Sequence, residues 1–241
     1  MLRKFLFTTF SVLILVQAIA GSNRSEKVFS TFDKFFKKFI RNGMVDYKKI
    51  KSHPAQMALL SEELAKADVS NFDLNQRKAF YINSYNFLVI KNIVENYPVS
   101  SPIEIDAFFT ERKFSLAGEL LSLEQIEKDK VLKQFSDIRM AFSLSSGIKG
   151  APPLMAGAFL PGKLDKQLDQ RMKLIVNDAN YIRVKKNSNK LLLCEVFRSC
   201  LHCVREDKLV EYINQFREEN VPLTYALDFY PTDRSLNVVS E

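Results

Sequence analysis

The chain has 241 residues, 46% apolar and 26% charged, with a formal net charge of +7. That length suits one domain with a sizeable core. Lys and Arg are interspersed with Asp and Glu, as in Glu62 to Lys66 and Glu206 to Lys208, and no basic block carries interleaved aromatics, so nucleic acid is excluded as an expected partner.

Residues 1–20 have the layout of a cleavable secretory signal peptide. Arg3 and Lys4 form a short positive region, Phe5 to Val16 is apolar and uncharged, and Ala18 and Ala20 supply small residues before Gly21. The apolar run is shorter than the roughly 20 residues a membrane span needs. An uncleaved N-terminal anchor is the competing reading. No later segment reaches spanning length, so no stable membrane span is expected after cleavage. The expected location is periplasmic or secreted. Losing Arg3 and Lys4 takes the charge from +7 to +5.

Residues 21–241 read as a single domain. From 27 to 41, Val28, Phe29, Phe32, Phe35, Phe36, Phe39 and Ile40 recur at helical spacing and predict an amphipathic helix. Asn42-Gly43 is read as its left-handed cap, and Val45-Asp46-Tyr47 as a short extended piece. Ser52-His53-Pro54 opens a second helix, with proline in the first turn where its missing N–H costs little. Residues 74–96 are apolar on most sides and predict a long, central, buried helix.

Within that helix Asn83 and Asn86 lie three apart and share a face with Ala79, Ile82, Ile90 and Ile93. Two readings stand: amides lining a site or clamping a loop, or amides satisfied in the core. A buried amide without partners costs about 1–3 kcal/mol.

Residues 113–121 predict a β-hairpin around Ala117-Gly118-Glu119. Ser122-Leu-Glu-Gln125 matches a capping box that starts another helix. Residues 138–144 read as a strand, and Ser145 to Pro153 as a loop by composition. A helix over 163–178 follows, with Leu164, Leu168, Met172 and Ile175 on one face. Strands at 181–185 and 190–194 flank Asn187-Ser-Asn189. A helix over 206–217 and a late strand over 223–229 complete the chain. The expected fold class is α+β: a mainly helical part around the central helix, packed on a small, largely antiparallel sheet.

Cys194, Cys200 and Cys203 are the only cysteines, and His53 and His202 the only histidines. In an exported chain, three cysteines allow at most one internal bridge and a spare thiol. Cys200-Leu-His-Cys203 has the spacing of a redox or metal element, or of an incidental pair in a helix. Adjacent ligands in one turn make a four-ligand zinc site awkward. No metal or cofactor is expected, and Cys200 with Cys203 stands as a candidate disulfide.

Several pieces together resemble the family Domain of Unknown Function 547: Val45-Asp-Tyr47, Ala79-Phe-Tyr-Ile-Asn-Ser-Tyr-Asn-Phe-Leu-Val-Ile90, Leu123-Glu-Gln-Ile-Glu127, Asp137-Ile-Arg139, Leu144-Ser-Ser146, Pro152-Pro-Leu154, Leu164-Asp-Lys-Gln-Leu168 and Asp233-Arg-Ser-Leu-Asn237. The likeness runs over about residues 28–238. It implies an exported protein of largely unestablished role and a fold likened to papain-like thiol enzymes, with cysteine and histidine as candidate catalytic groups.

This chain departs from the family pattern at those groups. Ser146 and Ala151 stand where the pattern has cysteines. Lys128, Ala141 and Lys91 stand where it has histidines, and Arg234 where it has tryptophan. A serine needs an adjacent base to act as a nucleophile. Three functions follow as candidates, with the balance leaning away from an enzyme. The first is a non-catalytic protein that binds a peptide, glycan or envelope partner through a degenerate cleft, with Asn83, Asn86, Glu127, Lys128 and Asn237 as cleft-lining or binding candidates. The second is a hydrolase or transferase using Ser146, with Lys128 as base if burial lowered its pKa. The third is an envelope redox protein using Cys200 and Cys203.

Overall fold

The computed structural model describes residues 26–135, 137–202 and 204–240. The predicted signal peptide and the pairing of Cys200 with Cys203 lie outside what is described.

The first helix, α1, covers residues 26–39. Val28, Phe29, Phe32, Phe35, Phe36 and Phe39 face inward and are all buried. Asn42-Gly43 does stop it, but not as a helix cap. Both residues have positive φ (50° and 81°). They turn a two-residue hairpin of β1 (Ile40–Arg41) and β2 (Met44–Val45), pairing Ile40 with Val45. Positive φ at both central positions is the hairpin geometry that Asn-Gly favours. α2 (Tyr47–Lys51) is capped by the Asp46 carboxylate, and α3 (Pro54–Ala65) opens on Pro54 as read.

α4 spans Leu74–Asn96 and starts with a capping box between Asp73 and Gln76. Every residue from Ala79 to Ile90 is buried. A hairpin of β3 (Phe114–Leu116) and β4 (Glu119–Leu121) turns on Ala117-Gly118. The Ser122–Gln125 capping box then opens α5 (Leu123–Gln125), which widens into a π-helical stretch at Ile126–Leu132.

The predicted strand at 138–144 is absent. Residues Ile138–Ser143 wind as a 3-10 helix, and Met140, Ala141, Phe142 and Ser143 in succession are all buried. A short apolar run cannot be assigned to strand or helix by periodicity alone. Here packing against α6 (Leu164–Val176) decides the conformation.

The strands form three small patches rather than one sheet. Besides the two hairpins there is a three-stranded sheet ordered β5 (Ile182–Lys185), β6 (Lys190–Cys194), β7 (Ala226–Tyr230). β5–β6 is antiparallel and β6–β7 parallel, so the largely antiparallel α+β class holds. α7 (Glu206–Asn214) supplies the crossover between the parallel pair. Buried apolar residues gather in two clusters. The larger surrounds α4, and the smaller joins the second half of α6 to β5, β6 and α7. Among the described residues no helix is long and apolar enough to cross a membrane.

Candidate functional site

The loop after the 3-10 helix at 138–143 is fixed from three directions. Asn86 on α4 holds its start: Nδ2 donates to the Ser143 carbonyl (2.9 Å), and Oδ1 accepts from the Ser145 amide (2.8 Å). The C-terminal segment holds its middle. The Gly147 carbonyl accepts from the Asn237 amide, Lys149 N–H donates to the Ser235 carbonyl, and Gly150 N–H to that of Asp233. The smaller cluster holds its end. Tyr181 Oη donates to the Ala151 carbonyl (2.8 Å), and the Arg171 guanidinium donates to that of Pro153. Arg171 is buried without a carboxylate partner among its described contacts, and burial pulls its pKa down to about 10.

Gly147 is required where it stands. Its φ is +83°, and a Cβ there would approach Ile93 Cδ1 to 2.5 Å. With Asn86 gripping one side and Gly147 turning on the other, Ser146 is set between two fixed points.

Ser146 lies at a cavity of about 170 Å³ between the two clusters, lined by Tyr85, Phe109, Glu127, Ala141, Leu144, Ser146, Pro152 and Val196. The positions where the resemblance expects a thiol (Ser146) and an imidazole (Ala141) therefore share one wall-lined space. The lining contains neither group. Its ionisable members are Glu127 and Tyr85. Tyr85 Oη donates to Glu127 Oε2 across a long 3.3 Å. Burial pushes the Glu127 carboxyl above the usual range, against the Tyr85 hydrogen bond and the Lys128 charge. Burial, then the Glu127 charge, raises the Tyr85 hydroxyl well above its usual value. The wall thus offers one weakly solvated carboxyl and one hydroxyl amid rings and aliphatic groups.

The remaining candidates lie elsewhere. Asn83 is buried and clamps a different loop: Nδ2 donates to the Phe159 carbonyl (2.8 Å) and Oδ1 accepts from the Phe159 amide (2.9 Å). Asn83 and Asn86 thus hold backbone rather than line the cavity. Asn237 is buried, with Oδ1 accepting from Tyr47 Oη at 2.6 Å. Its role is to anchor the tail.

Lys128 turns outward to Glu124 (2.5 Å), and its side chain is 66% exposed. The contact with Glu124 raises its pKa, so the lowered pKa a catalytic base would need is not found. His53 is exposed, with Nδ1 near the Lys49 carbonyl. Cys194 is a free, buried cysteine whose thiol is pushed up by burial. Among the described residues no group of His, Cys, Asp and Glu could hold a metal ion.

Sequence reading missed Tyr85, Phe109, Leu144, Pro152 and Val196 as cavity lining. They come from four separate segments, Leu144 and Pro152 sharing one loop, and only folding brings them together. It also missed Asn92, a third buried amide that donates to the Phe108 carbonyl (3.1 Å) and accepts from Arg112. Asn92 lies nine residues from Asn83, close to the opposite side of the helix, so a search at three- and four-residue spacing passes over it.

These observations define an α+β protein with a small cavity at the seam of two packed clusters, beneath a loop held by the buried Asn86 amide and by Tyr181. Residues 69–174 match the model of the family described as "Protein of unknown function, DUF547", so that stretch is similar to the family. The match takes in Asn83, Asn86, Glu127, Ala141 and Ser146. The outlying motifs Val45–Tyr47 and Asp233–Asn237 fall outside the match but meet each other, with Val45 N–H donating to the Asn237 carbonyl at 2.8 Å. No curated protein and no solved structure matches the chain.

Proposed function

We propose that this is an exported, non-catalytic member of the DUF547 family, and that it binds a segment of another envelope molecule through the cavity beside Ser146. The observation that carries this reading is the coincidence of Ser146, Ala141 and Glu127 around one cavity. The space survives, while its wall lacks the thiol and the imidazole that the family likeness pairs with chemistry. A lone serine hydroxyl is a weak nucleophile, and members of a catalytic unit act jointly, so losing two removes most of its effect. Export is supported by the layout of residues 1–20.

A serine-dependent hydrolase is the second reading, favoured by one observation: Ser146 and the half-buried Glu127 carboxyl line the same cavity. The test is a panel of peptide, ester and amide substrates offered to the mature protein before and after thiol alkylation, beside Ser146→Ala. The binding reading expects no turnover in any arm. Turnover lost in Ser146→Ala establishes the serine enzyme instead, and turnover abolished by alkylation points to a cysteine.

A further inference from the structure

Glu127 has a setting that its fold does not complete. The neighbouring cation, Lys128, is bound to Glu124 on the solvent side. The charged and titratable groups acting on Glu127 are Tyr85 from α4, and Lys128 and Glu124 from its own helix. Among its described contacts none is an ion pair, and Tyr85 reaches it only at 3.3 Å. Glu127 is half-buried, and a carboxylate partly withdrawn from water is costly unless a counter-charge and hydrogen-bond donors reach it. The cavity wall around it adds the rings of Tyr85 and Phe109 and the aliphatic surfaces of Ala141, Leu144, Pro152 and Val196. One carboxylate, aromatic walls and apolar sides are the combination that receives an organic cation: the carboxylate pairs with the charge, the rings attract it through their faces, and the aliphatic surfaces take the alkyl stem. A volume of about 170 Å³ is of the order that holds a benzene-sized guest.

We infer that the cavity is a receptor for a primary alkylammonium group, of the kind a lysine side chain presents, with Glu127 as its counter-ion. This rests on the binding reading above and names the chemical group that is bound. A ligand ammonium replaces the missing counter-charge, and Ser146 and Tyr85 supply further oxygen atoms at the wall. Because the cation needs the ionised carboxylate, binding weakens as pH falls through the raised Glu127 range, and binding there releases a proton.

The experiment titrates the folded mature protein with n-butylammonium, and separately with the neutral analogues 1-butanol and butyramide, following NMR signals of Ala141, Leu144 and Val196. The expected result is saturable shifts with n-butylammonium and at least about tenfold weaker binding of both neutral compounds, the difference a charge-assisted contact makes. Glu127→Gln keeps an acceptor for Tyr85 and is expected to abolish the preference for the cation. Equal binding of butyramide, or a preference that persists in Glu127→Gln, overturns the ammonium assignment and leaves the binding reading standing. Cavity signals that respond to none of the three compounds overturn both.

Discussion

Around α4 the larger cluster is closed by aromatic rings: Phe35 meets Phe87 edge-on at 5.2 Å, Phe72 meets Phe80 at 5.8 Å, and Phe32 stacks on Phe36 at 5.9 Å. The buried centre of the smaller cluster is mostly aliphatic, with Ile175, Val176, Leu191, Leu193, Leu209 and Ile213 around the rings of Phe142, Tyr181 and Phe197, and its other rings, such as Tyr212 and Phe216, are only partly buried at its edge. The polar devices differ too. In the larger region buried amides on one helix reach out and hold loop backbone. In the smaller one, Tyr181 and the buried Arg171 reach back from the other side to the loop that Asn86 holds. A loop held by both regions is placed more firmly than either could place it alone, and the cavity opens where the two meet.

The largest expected effect is in the ring-built core. Phe80→Ala removes a fully buried ring that packs on Phe32, Phe72 and Tyr81, and should cost about 3–5 kcal/mol. Leu193→Ala in the smaller cluster should cost about 2–5 kcal/mol. Urea denaturation followed by circular dichroism measures both. Two separated transitions in Leu193→Ala would show that the two clusters unfold independently; one shared transition would show that the seam couples them.

The amide clamps come next. Asn83→Ala leaves the Phe159 N–H and carbonyl unpaired, and Asn86→Ala does the same to Ser145 N–H and the Ser143 carbonyl. Each should cost about 1–3 kcal/mol. Hydrogen exchange at the Phe159 and Ser145 amides should rise selectively, each in its own variant. Fast exchange at both sites in both variants would mean global loosening rather than two separate clamps.

The third test is the charge cluster that ties α4 to α6. Arg139 grips Asp137 through Nε and Nη2 at 2.9 Å each and also reaches Asp165 and Asp169, while Lys78 joins Asp137 at 3.1 Å. Burial alone would raise the Asp137 carboxyl, but hydrogen bonds from Arg139 and Lys78 outweigh it and hold it below its ordinary 3.8. A depressed carboxyl stabilises the fold above its unfolded pKa and loses that contribution as pH falls through the folded value. Arg139→Met should therefore cost about 1–2 kcal/mol near neutrality, less than a fully buried pair because Asp165 and Asp169 are solvent-exposed. The gap between wild type and variant should narrow below about pH 4. A gap independent of pH would mean that lost packing, not charge, is responsible.

What the sequence conveyed followed the reach of each signal. The α4 boundaries, the Ser122 capping box, the Ala117-Gly118 turn and the inward face of α6 all depend on residues within a few positions of one another, and all are visible in the chain. Buried amides on an apolar face were legible as well, because an asparagine there demands partners wherever they lie. The 138–144 segment misleads because consecutive apolar residues carry no period, and packing against α6 makes it a tight helix. Asn42-Gly43 serves a hairpin or a cap equally well until β2 finds β1. The cavity was the least legible feature. Glu127 and Ser146 were singled out, but their meeting with Phe109 and Val196 depends on contacts across 87 positions of chain.

The smallest expected effect separates binding from stability at the cavity itself. Burial raises the Glu127 carboxyl, so its neutral form suits the empty cavity better than its ionised form. A group whose folded pKa is raised contributes its stability below the unfolded pKa, and that contribution is lost as pH rises through the folded value. At pH 7, above the ordinary carboxylate range, ionised Glu127 is therefore a net burden on the unliganded fold. Glu127→Gln removes the charge and keeps an oxygen for Tyr85 Oη. It should raise stability at pH 7 by about 0.5–1 kcal/mol, a common gain when a functional group is neutralised, and by nothing measurable near pH 3, where both side chains are neutral. Thermal unfolding of the two proteins at both pH values reads this directly. A variant that is less stable at pH 7 would mean that the carboxylate already has a counter-charge within the fold, and the cavity would then have no need of a cation from outside.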